Sequence, residues 1–213
     1  MKSVILAGGL GERLRHFTNV LPKPLIPISG EKTVLEIQIA NLAKYGFSDI
    51  TIATNYKSEL IETYLGDGSQ FDVQLSFSRE AKRLGTCGPL TLIRDRLTDP
   101  FLLMNGDVLT EADLGEFFKS GLENDSLLTV ATKEIIRPFD FGNVLVKDDH
   151  ITAISEKPDM KFLIVAGIYV LKPAIFEYIP DATYFGIDQL IRNLIEAGLP
   201  VASYQISEYW VDI

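Results

Sequence analysis

Residues 3–27 read SVILAGGLGERLRHFTNVLPKPLIP, and the rest of the chain takes its meaning from this stretch. Ser3 to Leu6 has the character of a short buried strand. Ala7-Gly8-Gly9-Leu10-Gly11 follows as a glycine-bearing loop, whose backbone N–H groups can approach an anion with no Cβ in the way. Arg13, Arg15 and His16 add positive character, and Lys23 stands between Pro22 and Pro24 on a segment with few conformational alternatives. The spacing is not a dinucleotide fingerprint, because Leu14 holds the third glycine position, and no Gly-Lys-Ser/Thr follows to make a Walker A loop. Read singly, these residues are a tight turn and a rigid surface lysine. Read together, they form a cradle for the phosphates of a nucleoside triphosphate.

Composition narrows the setting. A chain of 213 residues fits a single domain over residues 1–213. A net charge of −9 argues against general nucleic-acid binding, which needs a basic face, and makes the local cluster at Arg13, Arg15 and Lys23 stand out. No apolar run reaches the length of a membrane helix, and no signal peptide precedes the first strand, so no membrane partner is expected. The single cysteine, Cys87, excludes an intramolecular disulfide and fits a reducing compartment, the cytoplasm.

Strand-like and helix-like segments alternate through the first half. Strands are expected at Val4 to Leu6, Ile50 to Thr54, Val73 to Phe77 and Phe101 to Met104; helices are expected at Thr33 to Tyr45, Ser58 to Leu65 and Pro89 to Leu97. The second half is richer in strands, at Ser126 to Lys133, Val144 to Lys147, Ile151 to Glu156, Ile164 to Leu171 and Val201 to Ile206. Helices interrupt them at Pro173 to Tyr178 and Ile187 to Ala197. Asp148-Asp149 reads as a hairpin turn. Alternation of this kind predicts an α/β domain with a mixed, mostly parallel sheet and helices on both faces.

LAGGLGERL and PKPLIPI together resemble the signature of the sugar-1-phosphate nucleotidyltransferases, also called nucleotide-sugar pyrophosphorylases. Further matching pieces occur in order: Glu80 with Leu84-Gly85-Thr86-Cys87-Gly88-Pro89-Leu90, Asn105-Gly106-Asp107, Phe141-Gly142-Asn143-Val144, Glu156-Lys157-Pro158, Ala166-Gly167-Ile168-Tyr169 and Tyr209-Trp210-Val211-Asp212-Ile213. The resemblance runs the whole length and is nearest to members of the mannose-1-phosphate guanylyltransferase type. It implies a three-layer αβα Rossmann-like fold and an enzyme that moves a nucleoside monophosphate from a triphosphate to a sugar 1-phosphate, releasing pyrophosphate.

The resemblance also implies roles. Arg13 would grip the β- and γ-phosphates, Lys23 would stabilise the α-phosphate in the transition state, and Asp107 with Asp212 would hold Mg²⁺. Leu6, Ala7, Gly8, Gly9, Gly11, Glu80, Gly85 and Thr86 would form the nucleotide pocket. Gly142, Glu156, Lys157 and Gly167 would receive the sugar phosphate, the two glycines facing the ring. The chemistry suits such a set: the attacking phosphate oxygen is already an anion, so the site must supply alignment and charge neutralisation rather than a strong base. A carboxylate such as Glu80 can accept from two neighbouring donors, as on guanine, which favours GTP over UTP, dTTP or CTP. Cys87 has no histidine placed to activate it and is expected to be a buried side chain.

The pattern departs from the family at His16, where proline is commoner, and at Val165, where asparagine is commoner. Relatives continue past Asp212 with glycine and a helix, so the chain is expected to stop short of the family's domain end. Two other classes stay open: a nucleotide- or sugar-binding regulatory homologue without turnover, and a relative acting on a small alcohol phosphate with CTP. The sequence leaves a homo-oligomer open.

Overall fold

The computed structural model describes residues 1–9, 21–30 and 32–213. Strand β1 (Lys2–Leu6) leads to a 3-10 turn at Lys23–Leu25, then to a minimal hairpin of β2 (Pro27–Ser29) and β3 (Lys32–Thr33). Next come helix α1 (Val34–Lys44), β4 (Asp49–Thr54), α2 (Ser58–Leu65), β5 (Gln74–Arg79), β6 (Phe101–Asn105), β7 (Val108–Thr110) and α3 (Leu114–Glu123). The remainder carries β8 (Leu128–Pro138), β9 (Asn143–Lys147), β10 (His150–Ser155), β11 (Asp159–Leu171), α4 (Ile187–Glu196), β12 (Val201–Ile206) and β13 (Trp210–Asp212).

Seven of these strands form one sheet in the order β12-β8-β11-β6-β1-β4-β5. β1 pairs in parallel with both β4 and β6, β4 pairs in parallel with β5, and β12 does so with β8. Only β11 runs against its neighbours, β6 and β8, so the sheet is mixed and mostly parallel as the alternation of elements predicts. Adjacent residues of one strand feed opposite layers. Val4 and Leu103 pack with Leu90, Ile175, Leu190 and Leu194 on one face; Ile5 and Leu102 pack with Leu35, Ile39, Ile61 and Phe117 on the other. The result is three layers, with α1, α2 and α3 on one side and α4 with the 3-10 segments Gly88–Arg96 and Pro173–Tyr178 on the other.

Local chemistry explains the element ends nearest the site. Thr33 caps α1: its hydroxyl accepts from Glu36 N–H, and the Glu36 carboxylate accepts from Thr33 N–H. Asp148 and Asp149 both have positive φ (48° and 61°), which closes the β9–β10 hairpin with the left-handed pair that a two-residue turn requires. Two expectations are corrected. Gly88–Arg96 and Pro173–Tyr178 are 3-10 rather than α-helical, the first broken at Ile93 (φ −126°). Asp212 is the last residue of β13.

Candidate functional site

A cavity of about 300 Å³ opens at the C-terminal ends of β1 and β6, where parallel strands converge and release their loops. Its lining includes Leu6, Gly8, Gly9, Lys23, Glu80, Gly85, Thr86 and Asp107, so eight residues singled out from sequence meet in one place. Ala7 lies beside it rather than on its wall; its N–H donates to Ala53 O at 2.7 Å and its side chain is buried. Gly11 and Arg13, with Arg15 and His16, lie outside the described residues.

Gly106 is required by contact with backbone, and Gly8 stands close against the Glu80 side chain. A Cβ on Gly8 would stand 2.9 Å from Glu80 Oε1. A Cβ on Gly106 would stand 2.4 Å from Leu6 O, the atom to which Gly106 N–H donates at 2.9 Å. The second contact lets β6 end flush against β1 and delivers Asp107 to the cavity.

Glu80 is held from both sides. Its N–H donates to Thr54 O, its carbonyl accepts from Asn55 Nδ2 at 3.0 Å, and its Oε2 accepts from Leu84 N–H at 2.8 Å. Burial raises the Glu80 pKa, opposed by the Leu84 N–H and by the nearby Arg83 charge. The loop after it docks on a segment a hundred residues further on. Phe185 N–H donates to Leu84 O, and Phe185 O accepts from Cys87 N–H, both at 2.9 Å. This docking brings Tyr184 to the cavity wall. Burial pushes the Cys87 thiol up to about 12, with Asp188 adding to the rise, so the thiol stays protonated and is no nucleophile.

Lys23 reaches the site because Pro24 and Leu25 beside it are buried, which anchors the short 3-10 turn. Its Nζ donates to Asp107 Oδ2 at 2.9 Å, the two side chains being 15% and 35% exposed. The lysine and the carboxylate, expected to meet different partners, are therefore in direct contact here. Asp212 is joined to the same turn through backbone: β13 pairs with β7, setting Asp212 opposite Val108, and Ile213 N–H donates to Asp107 O at 3.0 Å.

The four residues expected to hold the sugar phosphate lie elsewhere. Gly142, Glu156 and Lys157 are exposed on the segment carrying β9 and β10, outside the cavity wall. Gly142 and Glu156 do adjoin, since a Cβ on Gly142 would be 3.0 Å from Glu156 Oε2. Gly167 is buried at a bulge of β11 with φ +74°, where a Cβ would meet Asn105 Nδ2 at 2.8 Å; it packs on the strand beneath Asp107.

Sequence reasoning missed Arg83, Asn105 and Tyr184, all on the cavity wall. Arg83 sits one residue before the Leu84 that binds Glu80, a proximity the sequence does display. Tyr184 carries no local signal, because only the docking of two distant loops brings it in.

A divalent cation can be tested against this donor set. Among the described residues no three His, Cys, Asp or Glu side chains gather as a metal cluster. Mg²⁺ does not need one: it keeps several waters and takes one or two carboxylates plus substrate phosphates. Asp107 on the cavity wall fits that habit; Asp212 is outside the wall and is tied to the Asp107 turn through the backbone pairing of β13 with β7.

Residues 2–213 match the Nucleotidyl transferase family. The chain is 33% identical to a UTP–glucose-1-phosphate uridylyltransferase of Synechocystis sp., over all of this chain and 60% of that protein. It is 35% identical to a mannose-1-phosphate guanyltransferase of Yarrowia lipolytica, again over all of this chain and 60% of the relative. The chain thus spans about 60% of the length of these relatives. Among solved structures, a putative glucose-1-phosphate thymidylyltransferase from Bacillus anthracis superposes with a TM-score of 0.80 at 26% identity, covering all of this chain and 89% of the other.

Proposed function

The chain belongs to the nucleotidyl transferase family, and from that premise we propose that it transfers a nucleoside monophosphate from a nucleoside triphosphate to a sugar 1-phosphate. In this reaction a phosphate oxygen of the sugar 1-phosphate bonds to the α-phosphorus as the α–β phosphoanhydride breaks, and pyrophosphate leaves with the electron pair. The observation that carries the reading is the contact of Lys23 Nζ with Asp107 Oδ2 at the mouth of a cavity whose other end is Glu80.

The roles follow from what each group can do. Lys23 is a fixed ammonium that neutralises charge building on the α-phosphate, and Asp107 keeps its aliphatic stem oriented until substrate arrives. Arg13 holds the departing β- and γ-phosphates. Asp107 and Asp212 would hold Mg²⁺, which when bound supplies further neutralisation of the phosphate oxygens. Leu6, Ala7, Gly8, Gly9, Gly11, Gly85 and Thr86 shape the nucleotide side. Gly142, Glu156 and Lys157 belong to the sugar-phosphate side, with Gly167 supporting the strand that leads to them.

GTP is the proposed nucleotide. Glu80 presents Oε1 toward a glycine, leaving room for a base edge, and the guanyltransferase relative agrees with a two-donor edge meeting a carboxylate. UTP is the second reading, favoured by one observation: Glu80 Oε2 already accepts from Leu84 N–H, and the uracil edge has a single N–H to place. No helix among the described residues is long and apolar enough to cross a membrane. With a net charge of −9 and a single buried cysteine, a cytoplasmic enzyme of small anionic substrates, without nucleic acid, is the accompanying proposal; a homo-oligomer stays compatible with it. The test is pyrophosphate release with each of the four triphosphates crossed against a panel of sugar 1-phosphates with Mg²⁺. Turnover with GTP and a hexose 1-phosphate is expected; release with no pair would leave a binding protein instead of an enzyme.

A further inference from the structure

The turn that carries Asp107 is gripped from below by a side chain with no role assigned so far. Gln38 lies on α1, buried on the same stripe as Leu35, Ile39 and Leu42. Its Nε2 donates to Asn105 O at 2.8 Å and to Val108 O at 2.7 Å, the two carbonyls that flank Gly106-Asp107. Two acceptors facing one nitrogen fix which end of the amide is which. Its Oε1 is then left buried with no hydrogen-bond partner among the described residues. A buried, unpaired amide oxygen costs stability, so packing alone does not account for glutamine here; both amide hydrogens are committed to closing one turn. The helix that bears Gln38 also packs with Leu25, two residues after Lys23. α1 is thus the common base under both members of the 2.9 Å Lys23–Asp107 pair.

We infer that Gln38 is a positioning residue that fixes where the Asp107 carboxylate stands, and through it the geometry of cation binding at the cavity mouth. This rests on the reading of Asp107 as a cation ligand. Outer groups that orient a ligand typically change metal affinity by about 10- to 100-fold when removed. A neighbouring amide provides the control: Asn41, one turn further along α1, donates to Thr110 O at 3.2 Å, on the same strand but beyond the turn.

The experiment uses the whole chain and Mn²⁺ alone, with free Mn²⁺ followed by electron paramagnetic resonance in the absence of nucleotide and sugar phosphate. Gln38→Leu should weaken Mn²⁺ binding by about tenfold and lower kcat with little change in KM for the triphosphate. Gln38→Asn, too short to span both carbonyls, should weaken it in the same direction and supplies the answer if the leucine variant does not fold. Asn41→Leu should lower the melting temperature while leaving Mn²⁺ affinity as in the parent. Equal loss of affinity in Asn41→Leu and Gln38→Leu would mean a general loosening of α1 and would overturn the inference. So would unchanged Mn²⁺ binding in both Gln38 variants alongside lost binding in Asp107→Asn, although the reading of Asp107 would then stand. Unchanged binding in Asp107→Asn itself would remove that reading and the inference with it.

Discussion

Strands β8 and β11 run side by side through two environments. From Leu128 to Thr132 on one and from Ala166 to Leu171 on the other they are buried in the central sheet, with helices over both faces. Beyond the bulge between Val165 and Tyr169 the same ladder continues as an arm with no layer over it among the described residues. On this arm and its β9–β10 hairpin Phe141, Leu145, Val146, Ile151, Ile154 and Leu163 are 60–70% exposed. The cavity proposed for the nucleotide lies beyond the sheet half, at the ends of β1 and β6, and the arm's hairpin segment bears Gly142, Glu156 and Lys157, the residues proposed for the sugar phosphate. One pair of strands therefore passes from a covered environment to an open one. The difference teaches that strand pattern governs pairing and register, whereas burial depends on what else packs there.

The largest way to test this division is through rate. Lys23→Ala should lower kcat for pyrophosphate release by about 10²–10³, as expected when a preorganised charge at the reacting phosphate is removed. Lys157→Ala, on the arm, should instead raise KM for the sugar phosphate more than it lowers kcat. Equal kcat losses in the two variants would erase the distinction between the halves.

Stability offers the next contrast. Leu171→Ala removes a fully buried side chain of the sheet half and should cost about 2–5 kcal/mol in urea unfolding. Leu163→Ala, eight residues earlier on the same strand and largely exposed, should fall within about 0.5 kcal/mol of the parent. A large loss at Leu163 would mean that the arm is covered in solution. At the boundary, Gly167→Ala combines a φ of +74° with a Cβ 2.8 Å from Asn105 Nδ2 and should cost about 1–3 kcal/mol.

The smallest effect concerns Glu80 and pH. Its pKa is raised in the folded chain, so the folded state binds the proton more tightly than the unfolded one does. The penalty is absent below the unfolded pKa, grows as pH rises through the folded pKa, and is full above it. Glu80→Gln should therefore raise the melting temperature slightly at pH 7.5 and leave it unchanged at pH 4, while impairing triphosphate discrimination. A loss of stability at pH 7.5 would show that the ionised form is the better packed one.

The glycine loop, Lys23, Glu80 and Asp107 were legible in sequence because each sits in a short local pattern that strand ends deliver to one edge of a parallel sheet. Helix α3 escaped the pattern because Gly121 interrupts its apolar face. The reason for Gly121 appears only in the fold, where a Cβ would meet Val170 side-chain atoms at 2.6–2.8 Å. β7 and β13 escaped because each is three residues long and neither has a partner nearby in the chain. Gln38 did leave a trace: a polar residue on the buried stripe of an otherwise apolar helix face. Its partners, being backbone carbonyls of a distant turn, left none.

The pairing of β7 with β13 has a consequence in time. The turn holding Asp107 is synthesised roughly a hundred residues before the segment whose Ile213 N–H closes on its carbonyl. Long-range closures of this kind cost chain entropy before any contact compensates, so they form late in folding. β1, β4 and α1 can assemble while the Asp107 turn still lacks its outer strand. In pulse-labelled hydrogen exchange during refolding, the amides of Ile5 and Ile52 should gain protection ahead of Ile213, and simultaneous protection would contradict this order. On the proposed roles of Asp107 and Asp212, a half-folded chain would carry the first carboxylate without the second, and cation binding would follow the closure of β13 on β7.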